Sequence, residues 1–376
     1  MNLSPSTQAL LQAVLYPDEP HPQALQTWLA ATELNRLEPG QFHLLPLIAS
    51  QLQRIAPEHP WLPRIKGIYR RVWYANQRAI RAASEVLQML EASGQAALLI
   101  GPAALALTVY AADQAQTLRA VGVPQVLVPT EDRGTAIQVL SAAGWQPCPP
   151  TSRLTEPRFA RWQAGYLFAK PSANQEVDQV RLCWHALPYA PLAAWGSQWF
   201  ERAVPLAHAS LQAQTLDPTD QLLQALTTGP ALELIPLVDG ARLIARAPID
   251  WPRLVAMATQ SQLAFVLHEQ LATMRALGVT DVPAPILAEL ALIKVPPYAR
   301  ALWHLDQIRP WERTAWQRMQ LSYAVFQQTA AMQHLAPHPG HLYAYLRTRL
   351  ATDTLRATLK RSLQRLTTRL PLPHGY

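Results

Sequence analysis

Leu98-Leu99-Ile100-Gly101-Pro102-Ala103-Ala104-Leu105 and Gly122-Val123-Pro124-Gln125-Val126-Leu127-Val128-Pro129 are the two stretches that decide the fold. In the first, an all-apolar run from Ala96 to Ile100 is closed by Gly101-Pro102. A short run apolar on both faces, bounded by breakers, suits a buried strand rather than a surface one. In the second, Gln125 to Pro129 reads the same way. Between them, Ala103 to Ala112 predicts a helix. After them, Thr130 is the expected N-cap, Glu131 and Asp132 complement the first turn, and Gly144 stops a helix of about thirteen residues. Phe159 to Lys170 carries alternating strand signals, and Val180-Arg181-Leu182-Cys183-Trp184 reads as a further strand. Residues 93–190 are therefore expected to form a mixed α/β unit of about four strands.

Outward from this unit the period changes to that of helices. Gln41 to Arg54 spaces Phe42, Leu44, Leu45, Leu47, Ile48 and Leu52 at near-helical intervals, with Pro46 expected to delay the start. Pro63 to Ala92 predicts the longest helix of the N-terminal part, stopped by Gly94. From about Ala194 the chain reads as helical again. Asp217-Pro218 opens one helix, and Leu232–Ile244, Trp251–Gln260 and Leu263–Leu277 follow. The expected class is α+β, predominantly helical. Its regions are 1–92 (helical), 93–190 (α/β core), 191–308 (helical) and 309–376 (a basic amphipathic tail).

The 376 residues are 49% hydrophobic and 15% charged, which excludes a disordered chain. The longest clean apolar run, Ala96 to Leu107, is too short to span a bilayer and contains Gly101 and Pro102. The start of the chain lacks a basic segment followed by an apolar one, so no signal peptide is expected. Cys148 and Cys183 cannot build a disulfide framework or a four-thiolate site. A cytoplasmic protein is the expectation. The net charge of +7 rests almost wholly on arginine, a residue suited to bidentate contact with phosphate or carboxylate.

The two strand motifs, followed by Tyr110 and Arg119 at suitable distances, Arg181-Leu182-Cys183-Trp184, Val238-Asp239 and Ile249-Asp250-Trp251, occur in an order that resembles one family. The chain is similar to the uncharacterised nucleotidyltransferase-like proteins of bacteria, a divergent branch of the polymerase-beta-type superfamily. The resemblance implies a small mixed sheet carrying a two-metal site for nucleotide transfer. Two such cations need several converging carboxylates. The family's Lys-Gly falls on Ile100-Gly101, its paired aspartates on Val123 and Gln125, its third aspartate on Arg181 and its His on Cys183. Valine and glutamine bring no charge to hold magnesium, and Arg181 would repel it.

Asp113, Glu131, Asp132, Glu176 and Asp178 are the carboxylates close enough in sequence to substitute. Asp178 lies three residues before Arg181, so a continuous strand turns it to the other face. Gly101, Arg119, Gly122, Gln125, Arg181 and His185 would line the candidate ligand cleft, with Arg119 and Arg181 attractive to phosphate. Cys183 reads as a buried filler, and Asp239 as one half of an ion pair with Arg242 or a neighbouring helix. Sequence supplies no Gly-rich phosphate loop and no nucleophile elbow.

Two arginine-rich stretches remain, 53–82 and Arg347–Arg369. The second is expected to be one amphipathic basic helix with its leucines docked on the protein. The expected function is a nucleotidyltransferase-family protein that has lost its metal ligands and acts as a non-catalytic binding or scaffold module, with a protein partner and no cofactor. One alternative is an active enzyme with relocated ligands, using magnesium and a nucleoside triphosphate. Another is a basic protein that contacts phosphate or nucleic acid through the arginine-rich helices.

Overall fold

The computed structural model describes residues 3–15, 21–38, 40–110, 119–172, 176–187, 195–208, 211–228, 233–309, 311–350, 352 and 354–367. It opens with helices α1 (Pro5–Leu15), α2 (Pro22–Ala31), α3 (Gln41–Ile55) and α4 (Leu62–Ala92). Pro46 does not delay α3 but sits inside it, with Leu44, Leu45, Leu47 and Ile48 buried around it. Helix α4 buries Ile65, Ile80, Ala83, Val86, Leu87 and Leu90, a stripe at intervals of three and four.

The sheet region follows as β1 (Leu98–Ile100), α5 (Pro102–Thr108), β2 (Gln125–Leu127), α6 (Arg133–Ala142), β3 (Gln146–Pro147), α7 (Pro157–Trp162), β4 (Gly165–Pro171), β5 (Val177–Cys183), α8 (Gly196–Glu201), β6 (Val204–His208) and β7 (Leu211–Thr215). Their order across the sheet is β3-β4-β5-β2-β1-β7-β6. Three expectations change here. The sheet has seven strands among the described residues, not about four, and it does not end near residue 190. β7 pairs in parallel with β1, so the β6–β7 hairpin completes the sheet from a stretch expected to be helical. Its alternation was masked by Pro205 and by the polar Gln212 and Gln214. Phe159 belongs to α7, and the strand begins only at Gly165. Thr130 does not cap α6; its hydroxyl donates to the Trp184 carbonyl at 2.9 Å, fastening the end of β2 to the end of β5.

The remaining helices are α9 (Pro218–Thr227), α10 (Ile235–Arg246), α11 (Trp251–Gln260), α12 (Ala264–Ala276), α13 (Ala284–Leu292), α14 (Pro297–Asp306), α15 (Ala315–Met332), α16 (Pro339–Arg349) and α17 (Leu355–Thr367). Asp217 caps α9 as expected, accepting from the backbone N–H of Thr219 and Asp220, an arrangement worth about 1 kcal/mol. The C-terminal basic stretch is two helices, broken between Arg349 and Leu355, rather than one. Asp353 and Arg369 lie outside the described residues. No helix among the described residues is long and apolar enough to cross a membrane.

Alternation along the strands divides the sheet between two cores. Leu99, Val126, Val180 and Leu182 face α4 and α6. Leu98, Ile100, Leu127 and Cys183 face the other way, into a core built with α1, α3, α9, α10 and α12. The same core thus joins N-terminal helices, sheet and C-terminal helices. A third cluster packs α14–α16 on α7, with Trp162, Phe326 and Tyr345 stacked at centroid distances of 5.6–5.9 Å.

Candidate functional site

The strand register brings the sequence-level candidates together. Gln125 of β2 stands opposite Ile100 of β1 on one side and Arg181 of β5 on the other. These three form a row across the sheet on the face that also carries Leu98, Leu127 and Cys183. Ile100 is 1% exposed and Cys183 4%, so apolar packing occupies much of this face. Gln125 and Arg181 are half-buried. Val123 precedes β2 on a bend and is not on the strand, and Gly122, at φ +63°, is the turn that delivers the chain to it. Gly101 has φ +67°, a conformation open to glycine, and a Cβ there would meet the Gln125 amide at 3.3 Å. The Gln125 side chain therefore lies across the Gly101 backbone.

A residue that sequence did not single out closes this end. Gln224 of α9 accepts from the Gly101 N–H at 2.9 Å and donates to the Ala186 carbonyl at 2.9 Å. It bridges the end of β1 to the segment after β5. No local signal marks it, because its role depends on α9 folding back over the sheet.

The charged member of the row is Arg181. Burial lowers the Arg181 guanidinium, Cys183 opposes that shift, and the nearby Arg349 of α16 adds to it. A second guanidinium therefore acts on Arg181 electrostatically. Burial pushes the Cys183 thiol up to about 12, with Arg181 only partly offsetting it, so it is protonated at neutral pH and not a nucleophile.

Other candidates go elsewhere. His185, half-buried, hydrogen-bonds the Ala160 backbone of α7; burial lowers it to about 4, and Arg133 of α6 adds to the shift. It does not join the row. Asp178 pairs with Arg78 at 2.8 Å and Arg81 at 3.2 Å on α4, which fixes it on the opposite face, as the alternation predicts. Glu176 also pairs with Arg78, at 2.5 Å. Asp132 occupies the N-cap of α6 without a side-chain cap bond. Asp113 lies outside the described residues. Among the described residues no group of three or more His, Cys, Asp and Glu side chains could hold a metal ion.

Arg119 is engaged by Asp239. Its Nη2 pairs with Asp239 Oδ2 at 2.9 Å and its Nε reaches both carboxylate oxygens, at 2.9 and 3.1 Å. The Tyr110 hydroxyl donates to Asp239 Oδ1 at 2.7 Å, and the Arg242 guanidinium lies 4.4 Å over the Tyr110 ring. Arg119 is thus an ion-pair partner of Asp239, and Arg242 lies over the ring beside it. Burial and the neighbouring carboxylate hold Tyr110 well above its usual value, so it stays a donor. Asn76 of α4 clamps the Arg119 segment, donating to the Arg119 carbonyl at 2.8 Å and accepting from the Val121 N–H at 2.9 Å.

A second buried ionic cluster sits where α8, α9 and α11 meet. Arg253 grips Asp217 with two bonds of 2.7 Å, and Arg202 reaches Asp220 at 3.0 Å. Asp220 is fully buried; burial and the Asp217 charge push its carboxyl up to about 7, against the pull of both arginines.

The mixed sheet, with the β1–β2–β5 row at its centre and helices before and after it, defines a nucleotidyltransferase-type core. The chain belongs to a family described as an uncharacterised nucleotidyltransferase, whose profile matches residues 41–278. No curated protein and no solved structure matches it.

Proposed function

We propose that this nucleotidyltransferase-family chain is a non-catalytic binding or scaffold module that uses the face of the old metal site to hold an anionic ligand or partner group. The observation that carries this reading is the registered row Ile100–Gln125–Arg181. A divalent cation does not fit it. Gln125 offers one neutral oxygen, Ile100 and Val123 offer none, and Arg181 with Arg349 repels positive charge. The same two arginines suit an oxyanion without any metal. The nearby carboxylates Glu176 and Asp178 are committed to Arg78 and Arg81 on the other face.

The test is to incubate the full chain with magnesium and each nucleoside triphosphate, and to follow pyrophosphate release alongside ligand binding by calorimetry. The expected result is no pyrophosphate, with any nucleotide or phosphate binding insensitive to chelator and reduced about tenfold or more by Arg181→Ala. Magnesium-dependent release that disappears on replacing a single carboxylate overturns the reading and establishes an enzyme with relocated ligands.

A further inference from the structure

The net positive charge of this chain falls in its C-terminal segment. Residues 309–376 contain ten arginines and lysines against Glu312 and Asp353, a balance of +8. The preceding 308 residues hold twenty-two basic against twenty-three acidic side chains, so they carry −1 of the total of +7. The same end concentrates exposed apolar surface. Of eleven large hydrophobic side chains exposed among the described residues, six are here: Trp311, Trp316, Met319, Tyr323, Leu359 and Leu363.

Their spacing makes two faces. On α15, Trp316, Met319 and Tyr323 stand at i, i+3 and i+7, within about 60° of one another around the helix. On α17, Arg356, Leu359, Lys360 and Leu363 fall within about 100° of arc, and all four are exposed. The leucines of α17 that the structure describes are therefore not docked inward as the sequence suggested. The inner side of α17 is fastened instead by polar contacts: buried Thr358 meets Thr352 at 2.7 Å, and Arg361 donates to the Leu350 carbonyl at 2.6 Å. Arg153 in turn donates to the Thr352 carbonyl at 3.1 Å, tying this connection to the α/β core. The outward face is thus presented by a helix held in place, and α17 packs on α15.

We propose that the outer faces of α15 and α17 dock on an anionic membrane surface. Indole and phenol rings settle at the headgroup level, leucine and methionine enter the acyl boundary, and lysine and arginine meet lipid phosphate. Charge complementarity selects this occupant. A second copy of the chain would set its own Arg356 and Lys360 against the same cations. Nucleic acid would use the arginines and the rings but leave Leu359, Leu363 and Met319 without a role.

Flotation of the full chain with vesicles tests this. Phosphatidylcholine vesicles alone should not carry the protein; vesicles with added phosphatidylglycerol should, and less so as salt rises. Leu359→Ser with Leu363→Ser should weaken that binding about tenfold while far-UV circular dichroism and melting stay unchanged, because both side chains are exposed in the folded protein. Trp316→Ala provides an independent loss on the other helix. No flotation on anionic vesicles overturns the proposal. So does flotation indifferent to both leucine and tryptophan changes, or oligonucleotide binding that is tighter than vesicle binding and lost only with Arg356→Glu and Lys360→Glu.

Discussion

At the centre of the sheet, Ile100, Gln125 and Arg181 stand side by side without a carboxylate. Where α10 meets the segment leading into β2, Asp239 is 1% exposed and fully engaged by Arg119 and Tyr110. Both places lie between the α/β core and the C-terminal helices, and they treat charge in opposite ways. Keeping a buried carboxylate requires a partner and hydrogen bonds for each oxygen. The Asp239 node meets that requirement from within the chain, so its charge serves architecture. The row holds no carboxylate to satisfy: it presents an aliphatic chain, an amide and a guanidinium. The ionic groups at the node join parts of the chain, whereas the row presents no negative charge to a cation.

The strongest way to break this contrast is to remove one partner at the node. Asp239→Asn or Arg119→Ala leaves a buried group unpaired and is expected to cost about 3–5 kcal/mol in denaturant unfolding. A loss below 1 kcal/mol would mean that the node is not structural. Next comes Gly165→Ala beside the row. Its Cβ would stand 2.6 Å from the Leu182 carbonyl and 2.9 Å from Cys183 Cα, both backbone, so the sheet must shift. A cost of about 1–3 kcal/mol is expected from the same measurement.

The contrast sharpens if the charge can be put back. Gln125→Asp combined with Arg181→Asp should lower the melting temperature in chelator and recover several degrees when magnesium is added. A hundredfold excess over Kd would be worth about 2.7 kcal/mol. The unaltered chain should melt at the same temperature with and without magnesium; a magnesium-dependent rise there would undo the reading of the row.

Two titrations are expected to pull against each other with pH. The folded protein holds His185 near 4, below its usual 6.5, so the unfolded chain takes up the proton first and stability falls as pH drops through that window. It holds Asp220 near 7, above its usual 3.8, so the folded state retains a proton that the unfolded chain loses, and stability falls as pH rises through that interval. His185→Gln should flatten the first slope and Asp220→Asn the second, read from melting temperatures between about pH 4 and 7. The smallest effect is expected on the exposed side of α4, where Arg70→Gln with Arg71→Gln should change stability by no more than about 0.5 kcal/mol.

Much of the local structure could be read from the chain. The long helix ending at Ala92, the strands at Leu98 and Gln125, the cap at Asp217 and the helix over Trp251–Gln260 each follow from periodicity and punctuation within a dozen residues. The β6–β7 hairpin could not, because β7 earns its place by pairing with β1 more than a hundred residues away. The sequence proposed Arg119 and His185 as cleft residues but not their partners, because side chains go to the partner that packing supplies. For Arg119 that partner is Asp239, and for His185 it is the backbone of Ala160. Gln224 carried no signal at all, since a glutamine on a helix acquires meaning only from what the helix covers.

By itself, then, the sequence determined that Ile100, Gln125 and Arg181 are not carboxylates, since residue identity is a local fact. It also determined that these side chains bring no negative charge, because isoleucine and glutamine are neutral and arginine is positive wherever they lie. Only the tertiary structure decided that Ile100, Gln125 and Arg181 share one row, that Arg349 comes to its edge and that Asp239 answers Arg119. Those are relations between distant segments, set by strand register and helix packing, to which no local pattern is tied.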